Sequence, residues 1–258
     1  MSLSSENWLQ TSVPEAFDAS GAFETCRVEK GKVLHLEEHL NRLQGSLRTL
    51  GFSHWQEREA RRSLAEAARG VEDGYVRIAI RRRGEPRMVV HRYAGVPYSK
   101  EQIRRGVSVT TVPTRMAPVE AVQSRVKSSE RLSSVLARAE APGVVEVLRI
   151  GPHGYLAEGT ISNLFLVKAN CLVTPPAWLG VLEGVTRTQV IEAAKRLKIS
   201  VREMPVTRHD LFNADEAFLT NVLMRILPIR QADGRAIGAA IPGPVTRQLM
   251  RAIEKSGR

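Results

Sequence analysis

The stretch GVLEGVTRTQVIEAA, residues 180–194, is the one on which the fold turns. Val190, Ile191 and Ala194 recur with the one-sided spacing of a helix that packs on a core, and Leu197 extends the stripe. Gly184 permits a tight backbone approach where that helix opens, and Thr186 followed three residues later by Gln189 resembles a capping box. A helix start leaves several backbone N–H groups without carbonyl partners, here beside a hydroxyl. Such a start is either a cup for a phosphate or an ordinary cap.

Outward from this helix, strand and helix patterns alternate. Strands are expected at 199–204 and 216–221, a short helix near 208–213, and a last helix near 244–254. Upstream, a helix over 129–140 is expected to bury Leu132, Val135, Leu136 and Ala139, followed by strands at 145–150, 162–168 and 171–174. Further back, GAFETCRVEKGKVLH (21–35) reads as a hairpin turning at Lys30 and Gly31, followed by a helix with Leu36, Leu40, Leu43, Leu47 and Leu50, stopped by Gly51. A second helix is expected over 56–69 and strands near 75–80, 87–92 and 107–112. Val76, Ile78 and Ile80 share one face of the first of these strands, Tyr75, Arg77 and Ala79 the other. PTRMAP (113–118), with two prolines and no period, predicts a linker between two α/β domains, 1–112 and 119–258.

Composition narrows the function. A chain of 258 residues can bury a core without metal or disulfide. Its two cysteines, Cys26 and Cys171, form no metal-binding motif, so a reducing cytoplasm is the expected location. No apolar run reaches membrane-spanning length, and MSLSSENWLQTSVPEAF has no signal-peptide pattern. The net charge of +11 invites a nucleic-acid reading, but the arginines are dispersed, from 81–83 to Arg247, without interleaved aromatics. A solvated face with anion positions for a small phosphorylated or carboxylated molecule is the better expectation; neither nucleic acid nor membrane is an expected partner. His35 and His39 share a helical face but have no third ligand nearby in sequence, so no metal site is expected.

Several residues are suited to chemistry. Lys127, between Val126 and two serines, is either a solvated lysine or one whose partly desolvated amine can attack a carbonyl. Glu158, flanked by Leu156, Ala157 and Gly159, is either a loop carboxylate or a partly buried one that needs a cation or a protonated ring nitrogen. Asn163 is placed to order that loop. Arg42, beside Leu43 at the edge of the leucine stripe, can reach a buried anion; Arg77 and Arg82 can offer a planar fork to a carboxylate, with Arg27 as a third substrate-side cation.

The order of these pieces resembles the fold type IV pyridoxal-phosphate enzymes, the class IV aminotransferase family. The segments that carry it are GAFETCRV (21–28), HLNRLQGSLRTLG (39–51), VKSSERLSSVLARAEA (126–141), YLAEGTISNLFLV (155–167), LVTPP (172–176), GVLEGVTRTQVIEAA (180–194), DLFNADEAFLTN (210–221) and Pro228. The resemblance implies a two-domain α/β fold with pyridoxal 5'-phosphate (PLP) in the interdomain cleft, a homodimer and a small amino substrate. It makes Lys127 the Schiff-base lysine, Glu158 the partner of the pyridine nitrogen and Arg42 a phosphate contact. Val185 and Thr186 become the phosphate cup at Gly184, and Leu182 packs on the ring. Thr220, Asn221 and Val222 match the second phosphate loop, with Val222 where aminotransferases often carry a hydroxyl. Leu132, ERLSSVL, TNVLMRILP and Thr25 look most like 4-amino-4-deoxychorismate lyase, whereas Arg77 in YVRI looks like the carboxylate arginine of branched-chain aminotransferases. The lyase is the first expectation, and an aminotransferase for D-amino or branched-chain amino acids the second. A basic binding protein that kept the fold and lost the chemistry is a third.

Overall fold

The computed structural model describes residues 21–52, 55–83, 85–116, 126–128 and 132–256. The chain divides into two compact units, Met1–Pro97 with Val126–Leu132, and Tyr98–Arg125 with Ser133–Arg258.

The first unit is built on an antiparallel sheet ordered β2-β1-β3-β4, formed by β1 (Gly21–Glu29), β2 (Lys32–Val33), β3 (Asp73–Arg83) and β4 (Glu85–Ala94). The turn at Lys30 and Gly31 falls where the sequence places it, with φ of 50° and 73°. Helices α1 (Leu36–Thr49) and α2 (Glu57–Ala68) follow β2. Leu40, Leu43 and Leu47 of α1 and Leu64 of α2 pack with Cys26, Val28, Val76, Ile78 and Ile80 into one core. Period two then dictates that Phe23, Thr25, Tyr75 and Arg77 turn to the opposite face of the sheet.

In the second unit the order is β10-β9-β8-β11-β12-β5-β6-β7, and β7 also pairs with β8. Six strands therefore close into a barrel: β5 (Val107–Arg115), β6 (Glu146–Ile150), β7 (Leu156–Gly159), β8 (Asn163–Lys168), β11 (Glu216–Asn221) and β12 (Arg225–Ala232). All six contribute to one apolar cluster, including Val109, Leu148, Leu156, Leu164, Leu219 and Leu227, which fills the interior. Side chains of opposite parity, Phe165 and Phe218 stacked at 5.1 Å, meet Val190, Ile191 and Ala194 of helix α5 (Val185–Arg196) and Leu249 of helix α7 (Pro244–Ser256) outside it. Strands β9 (Cys171–Thr174) and β10 (Val201–Glu203) extend the sheet beyond β8, and the short helices α3 (Lys100–Arg105) and α6 (Arg208–Phe212) complete the unit with α4 (Leu132–Ala139) and β13 (Arg235–Ala236).

Three expectations are corrected, and one strand is added. The proposed linker at 113–118 begins inside β5, which pairs with β6 and β12, so the unit boundary falls at Pro97 and the first α/β segment does not run to 112; residues 117 and 118 lie outside the described ones. Helix α4 turns Ser134 and Ala137 inward and leaves Leu132 and Leu136 exposed, because the small Ala137 is what fits against Val112 and Val147. Leu197 is exposed and caps α5 rather than extending its buried stripe. Strand β12 escapes the sequence because Pro228 interrupts it, and proline cannot donate to a ladder. The β5 ladder begins only at Ile229, so Pro228 faces a neighbouring strand on one side alone.

Candidate active site

In the first unit, Lys127 is held by its backbone. Its N–H donates to Ser46 Oγ of α1 at 3.2 Å, its carbonyl accepts from the Phe23 N–H of β1 at 3.1 Å, and Ser128 forms a bridge with Ala22. Two elements of the folded unit thus fix the lysine. Its half-buried side chain places Nζ 5.2 Å from the centroid of the Phe23 ring, and the Arg77 guanidinium carbon lies 5.7 Å from the same centroid. Arg77 Nε donates to Thr25 Oγ1 at 3.3 Å, as expected from the direct cross-strand register of Thr25 and Arg77. Lys127 and Arg77, singled out separately in sequence, meet over one aromatic ring, and Thr25 joins them through Arg77.

The other face of β1 holds Glu24, buried between two groups of α1. Arg42 grips it with Nε on Oε1 at 2.6 Å and Nη2 on Oε2 at 2.7 Å, and His39 Nδ1 stands 2.8 Å from Oε2. A carboxylate only accepts, so Nδ1 carries the hydrogen. Burial by itself pushes the Glu24 carboxyl up, yet Arg42 and His39 outweigh it and hold it well below the usual carboxylate range. Burial pushes the His39 imidazole down against the pull of Glu24, and it pushes the Cys26 thiol up, helped by the Glu24 charge. The buried anion that Arg42 reaches is therefore Glu24. Arg27 is likewise tied to Asp73, Glu29 and the Gly74 carbonyl. Arg82 falls on β3, with its side chain outside the described residues.

In the second unit, Glu158 of β7 is buried and accepts from Arg149 Nη2 on Oε1 at 2.9 Å, from Asn163 Nδ2 on Oε2 at 3.1 Å and from the Leu182 N–H on Oε2 at 3.0 Å. The cation that a buried carboxylate needs is Arg149, which is not among the residues that the sequence singles out. Asn163 also donates to the Leu182 carbonyl at 2.8 Å, so one side chain ties the carboxylate to the segment that leads into α5. Gly184 is the N-cap of α5 and makes no side-chain cap bond; Thr186 is buried in the first turn, and the expected capping box does not form because the helix starts earlier, at Val185. The glycine is required by space: a Cβ there would collide with Asn163 Oδ1.

Thr220 stands directly opposite Asn163 in the register of β11 and β8, on the face that α5 covers, and its buried hydroxyl has no hydrogen-bond partner among the described residues. Beyond it, Asn221 Oδ1 accepts from the N–H groups of Leu223 and Met224 at 2.9 and 2.8 Å, shaping the loop that contains Val222. A first turn without side-chain caps and an orphaned hydroxyl fit a phosphate. The buried carboxylate of Glu158, held by Arg149, Asn163 and the Leu182 N–H, fits a protonated ring nitrogen.

Arg149, with Glu146 beside it, carried a signal that was there to be read. Both are lone charges inside the apolar strand VVEVLRI, and such residues demand partners. Glu24 carried a weaker one, an acid among apolar strand positions facing His39 and Arg42 one turn apart. Among the described residues, no group of three or more His, Cys, Asp or Glu is placed to hold a metal, and no helix is long and apolar enough to cross a membrane.

Comparison with known proteins gives this geometry its context. A family model described as "Amino-transferase class IV" matches residues 21–232. A Methanocaldococcus jannaschii protein named "Putative branched-chain-amino-acid aminotransferase" is 34% identical over 89% of this chain and 84% of its own. The D-alanine aminotransferase of Bacillus licheniformis is 29% identical over 92% and 87%. The Escherichia coli branched-chain amino acid aminotransferase structure superimposes with a TM-score of 0.86 at 27% identity, covering 92% of this chain and 85% of that one. Another branched-chain amino acid aminotransferase, solved in complex with N-(5'-phosphopyridoxyl)-L-glutamate, gives 0.81 at 26% identity over 93% and 85%. A Legionella pneumophila structure named "Putative 4-amino-4-deoxychorismate lyase" gives 0.82 at 24%, over 93% and 92%, and shares the fold. These relatives are mostly branched-chain aminotransferases, which favours the aminotransferase over the lyase that the sequence put first. The protein has the mixed α/β fold type IV architecture and belongs to the class IV aminotransferases, a family of PLP-dependent enzymes.

Proposed function

We propose that this protein is an aminotransferase of small amino acids, with branched-chain amino acids as the first substrate class and D-amino acids as the second, and that it works as a cytoplasmic homodimer. The observation that carries the proposal is the pairing of Lys127 and Arg77 over the Phe23 ring, in a chain whose near-full-length relatives are aminotransferases. PLP would supply a carbonyl that condenses with amines and a ring that accepts the electron pair of a broken Cα–H bond.

The chain's own residues do the rest. The Lys127 amine would hold the cofactor covalently and, once displaced, carry the proton away from the substrate Cα. Glu158, paired with Arg149 and oriented by Asn163, would hold the ring nitrogen in its protonated form. The N–H groups of Val185 and Thr186 and the Thr220 hydroxyl would bind phosphate, with the backbone at Val222 in place of a hydroxyl residue, while Leu182 would lie against the ring. Arg77 would take the substrate carboxylate, with Thr25 holding its Nε edge. Arg42, which spends Nε and Nη2 on Glu24, would serve the phosphate end less directly than the resemblance implies. Arg27, saturated by acidic neighbours, has little left for substrate. Arg82 keeps the substrate role that its place at the end of β3 suggests.

The lyase is the second reading, favoured by the Thr25 hydroxyl on the lysine face. One experiment separates the two. PLP-loaded protein is mixed in turn with L-leucine, D-alanine and 4-amino-4-deoxychorismate. The aminotransferase converts its cofactor to pyridoxamine phosphate and releases one equivalent of 2-oxo acid from an amino acid. A protein that ignores both amino acids and releases pyruvate and 4-aminobenzoate is the lyase.

A further inference from the structure

Glu146 is fully buried in β6, and the site described above does not use it. Its carboxylate gathers an unusual number of donors. Oε1 accepts from the N–H groups of Val147 and Thr160 at 2.9 and 3.0 Å, from Thr160 Oγ1 at 2.6 Å and from Arg138 Nη1 at 3.4 Å. Oε2 accepts from the Ile161 N–H at 3.2 Å and Ser162 Oγ at 2.7 Å. Four of these six donors belong to the turn Thr160–Ser162, which joins β7 to β8 and so lies between Glu158 and Asn163. Gly159 precedes the turn because a Cβ there would run into Glu146 and Ser162.

The turn in its own right supports a second element. The carbonyl of Ile161, whose N–H is fixed by Glu146, accepts from Asn221 Nδ2 at 3.2 Å. The same Asn221 side chain uses its oxygen to fold the segment after Thr220. A continuous chain of bonds thus runs from the Glu146 carboxylate through the Ile161 peptide to Asn221 and its loop.

We propose that Glu146 is a positioning residue for the phosphate end of the cofactor site, acting through the Ile161 peptide and Asn221. The proposal rests on the assignment of Thr220–Val222 as a phosphate-binding loop made above. Its chemistry is specific: a carboxylate can accept backbone N–H groups at both oxygens, whereas an amide has one oxygen and turns a donor toward the other set. In Glu146→Gln, a backbone N–H in or beside the turn loses its acceptor, and the peptide that orients Asn221 shifts.

The test compares PLP with pyridoxal, which has the same ring and aldehyde but no phosphate. Dissociation constants for both are measured by titration of the full-length protein, wild type and variants. Glu146→Gln is expected to weaken PLP about tenfold, the effect of one buried donor left unsatisfied, and to leave pyridoxal within about twofold. Ser162→Ala, which removes a side-chain bond to the same carboxylate but no backbone bond, is expected to leave the PLP-to-pyridoxal ratio unchanged. If Glu146→Gln does not fold, Glu146→Asp, which keeps the charge and retracts both oxygens, takes its place with the same expectation. Equal weakening of PLP and pyridoxal means a merely structural role and overturns the proposal, as does an unchanged PLP constant. Wild-type protein that binds pyridoxal as tightly as PLP would remove the phosphate site itself, and with it the function proposed above, whichever way the variants behave.

Discussion

Arg149 Nη2 donates to Glu158 Oε1 at 2.9 Å, and both side chains are buried. The pair spans β6 and β7, so the barrel wall itself supplies the cation that faces Glu158. Breaking such a pair from one side strands a charge, at a cost of about 3–5 kcal/mol. Arg149→Met is therefore expected to lose stability on that scale in urea unfolding of the cofactor-free protein. The double variant Arg149→Met with Glu158→Met is expected to recover part of it, because no orphaned charge remains. Equal losses in both would mean that packing, not charge, governs the site.

Asn163 Oδ1 occupies the space where a side chain at residue 184 would begin. Gly184 has φ of −67°, a value open to any residue, so the prediction concerns contact and not backbone strain. Gly184→Ala should displace Asn163 from Glu158 and weaken PLP binding about tenfold, roughly the worth of one lost hydrogen bond to a charged group. Gly184→Ala together with Asn163→Ala should relieve the collision, and a fluorescence titration with PLP reads both. Unchanged affinity in the single variant would show that Asn163 can move aside freely.

The contrast between α1 and β6 shows how far the sequence could be read. Four leucines at helical spacing, Leu36, Leu40, Leu43 and Leu47, define α1 without any tertiary information, since periodicity alone selects the buried face. On α4 the same logic chooses the wrong face, because Leu132 and Leu136 outrank Ala137 in hydrophobicity while only the small residue fits beside Val112 and Val147. Glu158 is legible as a candidate because it interrupts an apolar context, and Lys127 and Asn163 because each stands where an element begins. Their partners are not legible: Ser46 reaches Lys127 across 81 positions, and Arg149 reaches Glu158 only through the register of a hairpin. Residue type is local information and pairing is not.

His39 faces Glu24, Arg42 and Lys127, and its folded-state pKa is lowered, chiefly by burial. Below about pH 6.5 the unfolded chain takes up a proton that the buried ring refuses, so stability falls with pH from there downward. One such group contributes at most about 1.4 kcal/mol per pH unit. His39→Asn, which retains a donor toward Glu24, should flatten the dependence between pH 7.5 and 5.5 in urea unfolding. An undiminished slope would locate the titration in other histidines.

Arg77 presents its guanidinium on the same face as Lys127. Arg77→Met should raise the KM for an amino acid with little loss of kcat, since a carboxylate contact is made equally in the ground state and the transition state. Thr25→Ala should have a smaller effect in the same direction, as it removes only the 3.3 Å bond that steadies the Nε edge. A fall in kcat alone for Arg77→Met would place the arginine in the chemical step instead of in binding.

The most direct measurement is peptide mapping after borohydride reduction of the PLP-loaded protein. One phosphopyridoxyl group is expected per chain, on the peptide containing Lys127, and none on Lys127→Ala treated in the same way. Label on another lysine, or a protein that takes up no label at saturating PLP, would contradict the assignment of Lys127 as the residue that holds the cofactor.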